Sequence, residues 1–532
     1  MRPVFMRWLA GLVGLLAAGA IVFAVGRLEA AALGVVVQPQ WLGPTPVTVF
    51  RPAASAAGDS PAPVVLIAHG FAGSQQLMQP FALTLARNGF VAITFDFPGH
   101  GRHGEPMRGG LTDPDESLRT LLASIVEMGD FARGLAGGAG RYAVVGHSMA
   151  SDIVVRHAQA HPEVLATVGV SLFAPSITAD TPGDSPRNLL VVAGALEPGV
   201  MATEALRVIG RVAGAGAALA TTYGDFDAGT ARRAELAPGV EHIGVLYSAA
   251  TLSQTLAWLN AAFDRPPAPA PFIDSRGPWL GWLLLGVLAL AWPLSRWLPV
   301  VNPVVTPVAM APAPAAPAPM PWWRIRGFAP VLLLPPLLTP LLLWPLPTEV
   351  LPLLLGDYLV LHFALYGALT MLGLWWLRRP WPAVMPGRRL AFVLAAVLAT
   401  AYALLAVGLP LDRYVFNVQP AAARWPLIAA MVAGTLPYFL ADEWLTRGAG
   451  AARGAYFASK LCFLLSLVVA IALNPSRLFF LAIIVPAILL LFVLYGLFSR
   501  WAFRRTGHPL VAALANALAF AAFIAVTFPL VA

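Results

Sequence analysis

Hydrophobic and polar positions along this chain fall into two regimes. Between residues 45 and 265, short β-branched runs at 64–68, 91–95, 142–145, 166–173 and 188–193 alternate with helix-length segments. That alternation predicts an α/β domain: a mostly parallel sheet with helices on both faces. After Pro278 polar positions nearly vanish, and about eight apolar stretches follow, at 279–298, 328–344, 351–377, 390–409, 426–440, 456–473, 478–498 and 509–531. Most are long enough to cross a bilayer as helices, since about 20 residues span the hydrocarbon; the second is rich in Pro and the fifth is short. Another apolar run, 8–25, opens the chain between Arg2 and Arg7 on one side and Arg27 and Glu29 on the other. This is the shape of a signal sequence or signal anchor over residues 1–29. The Ala-rich stretch 30–32 leaves cleavage open, and an uncleaved anchor is favoured.

The expected division is therefore an anchor at 1–29, an α/β domain at 45–265, a Pro-rich linker at 266–277 that contains PPAPAP, and an all-α polytopic membrane domain at 278–532. The Pro- and Ala-rich run 304–319 reads as a disordered linker without chemistry. Composition agrees: 58% hydrophobic against 11% charged residues excludes a wholly soluble protein. The net charge of +8 would suit a nucleic-acid binder, but the basic residues after 290 cluster between apolar runs. With the N-terminus cytoplasmic, alternation places Arg296/Arg324/Arg326, Arg378/Arg379/Arg388/Arg389, Arg447/Arg453/Lys460 and Arg500/Arg504/Arg505 inside. Glu349 with Asp357, Asp412 with Arg413 and Arg424, and the 474–477 turn are left outside. This is the positive-inside pattern. It predicts a multi-pass protein of a bacterial inner membrane whose α/β domain lies on the periplasmic side, with membrane lipids and not nucleic acid as its surroundings. The single Cys462 can build neither an internal disulfide nor a Cys-based zinc site.

The chemistry concentrates in Gly146-His147-Ser148-Met149-Ala150, which follows a β-run and leads into a helix-forming stretch. A sharp strand-to-helix turn needs small residues on both sides of its central Ser, so that neighbouring backbone does not clash and the hydroxyl stands exposed. The pentapeptide resembles the nucleophile elbow of the α/β-hydrolase superfamily, with Ala150 in place of the usual final Gly. The resemblance implies a Ser148 nucleophile followed along the chain by an acid and then a His. Residues 68–73, Ala-His-Gly-Phe-Ala-Gly, are similar to the superfamily's oxyanion loop, which would make the backbone N–H groups of Phe71 and Met149 the oxyanion hole and His69 a structural residue. Residues 95–101, Phe-Asp-Phe-Pro-Gly-His-Gly, resemble its D-x-x-G-x-G turn, with Asp96 holding the loop and His100 and His103 structural or at the rim. The acid is expected at Glu197, after the run 189–193, with Asp180 and Asp184 as alternatives. His242 stands in the order required of the base, and a neutral imidazole suits removal of a Ser proton near pH 7. Only about 14 residues separate the runs ending at 173 and starting at 188, where a helical cap is often inserted. An open site for bulky or membrane-borne substrates, or one covered by the membrane half, is expected.

Within the apolar half, residues 441–448, Ala-Asp-Glu-Trp-Leu-Thr-Arg-Gly, resemble the E-E-x-x-x-R-G motif of the intramembrane CAAX-protease and bacteriocin-processing family. That family's His residues are missing: Asn516 and Phe520 stand at the last motif. The resemblance implies at most a descendant without that activity, and Asp442, Glu443 and Arg447 read as a membrane-edge cluster of locally paired charges. His508 reads as interfacial. The sequence as a whole points to a serine hydrolase that cleaves acyl esters, carboxylesterase- or lipase-like, and needs no cofactor or metal. Lipid-like esters are favoured as substrates, with peptides, thioesters and acyl transfer still open. The competing reading is a membrane carrier or assembly protein whose α/β domain only binds.

Overall fold

A computed structural model describes residues 2–53, 62–110, 113–136, 140–303 and 328–532. The run 304–319, with Arg324 and Arg326, lies outside the described residues. The chain divides into two compact units: a sheet unit of Phe23–Trp282, Leu411–Ala421 and Pro529–Ala532, and a helical unit of Met1–Val22, Leu283–Pro410 and Ala422–Phe528.

α1 (Arg2–Ala30), most of which belongs to the helical unit, leads into the sheet unit, where β1 (Val35–Leu42), β2 (Thr45–Pro52) and β3 (Val64–Ala68) follow. Next come α2 (Gln79–Arg87), β4 (Val91–Phe95), α3 (Pro114–Leu135), β5 (Tyr142–His147) and α4 (Met149–Ala160). The unit continues with β6 (Val164–Val170), β7 (Leu189–Gly194), α5 (Gly199–Ala213), β8 (Arg232–Ala237) and α6 (Ala249–Ala262). The strands form one eight-stranded sheet in the order β1-β2-β4-β3-β5-β6-β7-β8. β1, β2 and β4 pair antiparallel, and every pair from β4 onwards is parallel. The central strands are continuous buried apolar runs, as a sheet covered on both faces requires. Side chains alternate between the faces: Leu190 and Val192 of β7 join a core with Phe81 of α2 and Leu256 of α6, whereas Leu189 and Val191 pack with Val155 of α4 and Val208 of α5.

The sheet starts at Val35, earlier than the expected boundary at 45. β1 hides from periodicity because it is a largely exposed edge containing Pro39, and β8 because its sequence, RRAELA, is charged. β8 is a strand nonetheless because Arg232 folds inward and donates to the carbonyls of Ala231 and Pro186. β6 ends at Val170 and not at 173, because Ser171 turns out of the strand with φ 52°. No helix interrupts the connection from there to β7.

The apolar half contributes α7 (Gly277–Ser295), α8 (Phe328–Leu343), α9 (Gly356–Trp376), α10 (Arg389–Ala401), α11 (Val407–Tyr414) and α12 (Trp425–Arg447). It continues with α13 (Ala455–Leu473), the short α14 (Pro475–Leu478), α15 (Leu481–Thr506) and α16 (Leu510–Thr527). Among the described residues, eight helices are long and apolar enough to cross a membrane, α1 included, and α8 falls short of that length. Glycines let helices approach closely: a Cβ on Gly367 of α9 would lie 2.3 Å from the Tyr438 nitrogen of α12, and one on Gly434 of α12 would lie 2.3 Å from the Val360 carbonyl of α9.

The fifth stretch proves long, since α12 runs on to Arg447, so Asp442 and Glu443 lie within its last two turns and not beyond its end. Glu443 pairs with Arg447 one turn on, at 2.7 Å, but Asp442 pairs with Lys460 of α13, at 2.6 Å. Lys460, expected in a loop, is therefore buried, because an apolar interior tolerates its charge only beside a carboxylate. Arg424, expected in an outer loop, is likewise buried and donates to the carbonyls of Ala525 and Phe528. His508 is buried too.

Candidate active site

The site assembles at the C-terminal ends of the parallel strands, where the connecting loops of an open α/β sheet present their side chains. β5 runs into Ser148, which adopts φ 52° and ψ −115° before α4 begins at Met149. A non-glycine residue in that region carries roughly 1–3 kcal/mol of strain. Small neighbours make the turn possible: a Cβ on Gly146 would lie 2.5 Å from the Ala150 carbonyl oxygen. Ala150 lies within α4, in a helical conformation that does not call for glycine. The Ser148 N–H continues the ladder to the Val170 carbonyl, and its own carbonyl accepts the Ser151 hydroxyl at 2.6 Å.

His242 Nε2 lies 2.9 Å from Ser148 Oγ, and His242 Nδ1 lies 2.8 Å from Glu197 Oε2. With Glu197 ionised, the proton sits on Nδ1 and the Nε2 lone pair faces the Ser148 hydroxyl. Burial alone would push the Glu197 carboxyl up, but hydrogen bonds from His242, the Gly194 N–H and the Ser171 hydroxyl outweigh it and hold the group below its usual range. The last two reach Glu197 Oε1, each at 2.7 Å. The loop that carries His242 reaches Glu197 because Gly194 has no side chain: a Cβ there would lie 2.4 Å from the Val240 carbonyl oxygen. Asp180 and Asp184 lie exposed on the connection between β6 and β7, so of the three expected acids the structure brings Glu197 alone to the imidazole.

The 69–73 loop closes against Ser148: a Cβ on Gly70 would lie 3.0 Å from Ser148 Cβ. Phe71 follows directly, and Met149 opens α4, where the first N–H groups of a helix have no intrahelical acceptor. His69 accepts the Phe97 N–H on Nε2 at 3.1 Å and donates from Nδ1 to the Gly70 carbonyl at 2.8 Å. Burial pushes it down to about 4, so it is a neutral brace. Asp96 accepts the N–H groups of Gln75 at 2.6 Å and Arg102 at 2.9 Å, tying its turn to the same loop. Its own burial pushes the carboxyl up to about 6. His103 bonds to Thr45 Oγ1 and the Glu105 N–H, and the His100 ring packs between His69 and Phe71.

Two contributors escaped the sequence reading. Ser171 holds Glu197, and the signal that could have found it is a polar residue at the end of a buried strand. His147, inside the elbow motif itself, donates from Nε2 to the His242 carbonyl at 3.0 Å, and burial pushes its imidazole down to about 3.

Residues 59–209 match the family model described as serine aminopeptidase, S33. Among solved structures, a CIB-like hydrolase from Thermoplasma acidophilum is similar at 19% identity and a TM-score of 0.33, over 42% of this chain and 99% of that one. A bacterial membrane phospholipase A is similar at 13% identity and a TM-score of 0.32, over 49% of this chain and 97% of that one. The curated proteins give no match. The sheet order, the strained Ser148 where β5 meets α4 and the matched family model together show that this chain contains an α/β-hydrolase domain of that superfamily, joined to several apolar helices able to span a membrane.

Proposed function

We propose that the chain is a membrane-anchored serine hydrolase that cleaves acyl esters. The observation that carries this reading is the unbroken relay from Glu197 through His242 to Ser148, with both links under 3 Å. In the reaction the Ser148 O–H bond breaks, its proton passes to His242 Nε2, and Oγ bonds to the acyl carbon. The carbonyl oxygen takes up negative charge between the N–H groups of Phe71 and Met149. Collapse of the adduct expels the alcohol, which takes the proton from His242, and a water molecule repeats the sequence to release the acid. Substrate preference is drawn from the rim. Phe173, Leu196 and Ile243, on the loops after β6, β7 and β8, and Val200, at the start of α5, are exposed apolar side chains near the triad, and no cap is inserted beside them. They suit an acyl chain better than a charged peptide terminus.

The domain is proposed to face the periplasm of a bacterial inner membrane. With α8 counted as a crossing, charge alternation puts residues 30–277, 411–424 and 529–532 on one side of the membrane, and apart from the adjoining ends of α1 and α7 the sheet unit is composed of segments from these three stretches.

The test is labelling of the full-length protein in membranes with a fluorophosphonate. Wild type is expected to label and Ser148→Ala and His242→Ala are not, with p-nitrophenyl esters hydrolysed in parallel. Folded wild-type protein that does not label would remove the serine nucleophile, and faster turnover of aminoacyl anilides than of esters would make it a peptidase.

A further inference from the structure

The turn and loop beside Ser148 are held by residues more than 300 positions away in sequence. Residues 411–421 form a compact bend, in which Asp412 Oδ1 accepts the N–H groups of Val418 at 2.9 Å and Gln419 at 3.1 Å. The bend presents its remaining polar atoms to the sheet unit. Arg102 donates from Nε to Asn417 Oδ1 at 2.8 Å and from Nη2 to Asp412 Oδ2 at 2.7 Å, and the Asn417 N–H donates to Ser74 Oγ at 2.9 Å. Asp96 closes the circuit by accepting from the N–H groups of Gln75 and Arg102. The result is a ring, Ser74–Asn417–Arg102–Asp96–Gln75, in which Ser74, Asn417 and Asp96 are buried. A second distant segment adds to it. The Leu530 N–H donates to the Gly99 carbonyl, and the Leu530 carbonyl accepts the Met107 N–H, both at 2.8 Å. Gly99 must be glycine there, with φ 75° and only 2.3 Å between a would-be Cβ and the Leu530 oxygen.

Every anchor of the ring lies on the 69–75 loop or the 96–107 turn, the two stretches that bound Phe71. The Phe71 ring packs edge-on against His100, with centroids 6.2 Å apart. A loop of this kind has no helix or strand of its own to fix it, and a displacement of 1 Å in an oxyanion donor is enough to slow catalysis about a hundredfold. We propose that residues 411–421 and 529–532 are positioning elements of the active site. Arg102, gripped by Asp412 and Asn417, fixes the loop whose Phe71 N–H receives the oxyanion, so the α/β domain is catalytically complete only with these two segments in place. The proposal rests on Ser148 as nucleophile and Phe71 as oxyanion donor.

The experiment uses the full chain, comparing wild type with Arg102→Met, Asp412→Asn, their double variant and Arg102→Lys. Arg133→Met, which breaks the exposed pair with Asp130, is the control. The readouts are the fluorophosphonate labelling rate and kcat and KM for a p-nitrophenyl ester. Each single substitution is expected to lower kcat and the labelling rate about tenfold or more while KM stays within about twofold. The double variant is expected to be no slower than the worse single, because both remove one coupled contact. Arg102→Lys is expected to recover part of the rate, and the control none of the loss. Wild-type kcat in both single variants would overturn the proposal, as would a loss that tracks the folded fraction or appears only in KM. A wild type that never labels would overturn the serine-nucleophile reading itself, and the positioning role with it.

Discussion

The Ser171 hydroxyl donates to Glu197 Oε1 at 2.7 Å, from a residue held at φ 52° directly after β6. Together with the Gly194 N–H it occupies one oxygen of the acid and leaves the other for His242. Ser171→Ala removes a donor to an ionised group, and kcat is expected to fall roughly threefold to thirtyfold. That donor also holds the Glu197 carboxyl down. Its loss should raise the carboxyl toward the ordinary range. Glu197→Gln should cost far more, on the order of 10³–10⁴ in kcat, because the imidazole loses both its tautomer and its counter-charge. Steady-state ester hydrolysis from pH 4 to 9 measures both.

Gly70→Ala tests the close approach of the 69–73 loop to the nucleophile. A methyl group there meets His147 Nδ1 at 2.9 Å and Ser148 Cβ at 3.0 Å, so loop and elbow must move apart. A folded protein with kcat reduced about a hundredfold or more is expected. Circular dichroism separates this from misfolding.

Acid should destabilise the sheet unit before its surface carboxylates titrate. Burial pushes His69 and His157 down to about 4 and His147 to about 3, against about 6.5 in an unfolded chain. For a base whose folded pKa is depressed, the stabilisation is complete above the unfolded value and is lost as pH falls below about 6.5. At pH 5 each of these imidazoles costs about 2 kcal/mol. Asp96 acts in the opposite sense: burial pushes it up to about 6, so its contribution grows as pH falls and offsets part of the slope. Thermal unfolding followed by tryptophan fluorescence is expected to show a falling midpoint between pH 7 and 5. His157→Gln, which keeps a partner for the Tyr142 hydroxyl, should remove about a third of the imidazole contribution to that slope if the three contribute equally.

In the helical unit the buried Asp442–Lys460 pair makes a different prediction. Asp442→Asn strands the Lys460 charge and should destabilise the protein by about 3–5 kcal/mol. Adding Lys460→Met should recover most of that loss, and the melting temperature of detergent-purified protein reports both. A double variant no more stable than the single would show that more than pairing holds Lys460.

The sheet's centre and the relay were legible because their signals are local. A buried parallel strand is a continuous apolar run, and an elbow must place small residues around its Ser. The order of Ser148, Glu197 and His242 along the chain then singled out three residues that the structure brings within hydrogen-bonding distance. What stayed hidden lacks a local signature. β1 is an exposed edge and β8 is built on a buried Arg232, so hydrophobic periodicity finds neither. The length of α12 was misjudged because Asp442 and Glu443 look like a terminus until Lys460 arrives from α13 to neutralise one of them. Ser171 and Asn417 are ordinary polar residues in sequence, and their partners, Glu197 and Ser74, are set by tertiary structure alone.

The composition of the sheet unit from Phe23–Trp282, Leu411–Ala421 and Pro529–Ala532 also bears on how the protein is made. A growing chain has all of Ser148, Glu197 and His242 long before it has Asp412 or Leu530. At ordinary rates of synthesis the interval is on the order of tens of seconds. During that time the nascent α/β domain lacks the partners of Arg102 and Gly99, so, on the positioning role proposed above, maturation of the site waits for the membrane half. On that reading, a ribosome that stalls within the apolar helices leaves behind a domain whose site is unfinished.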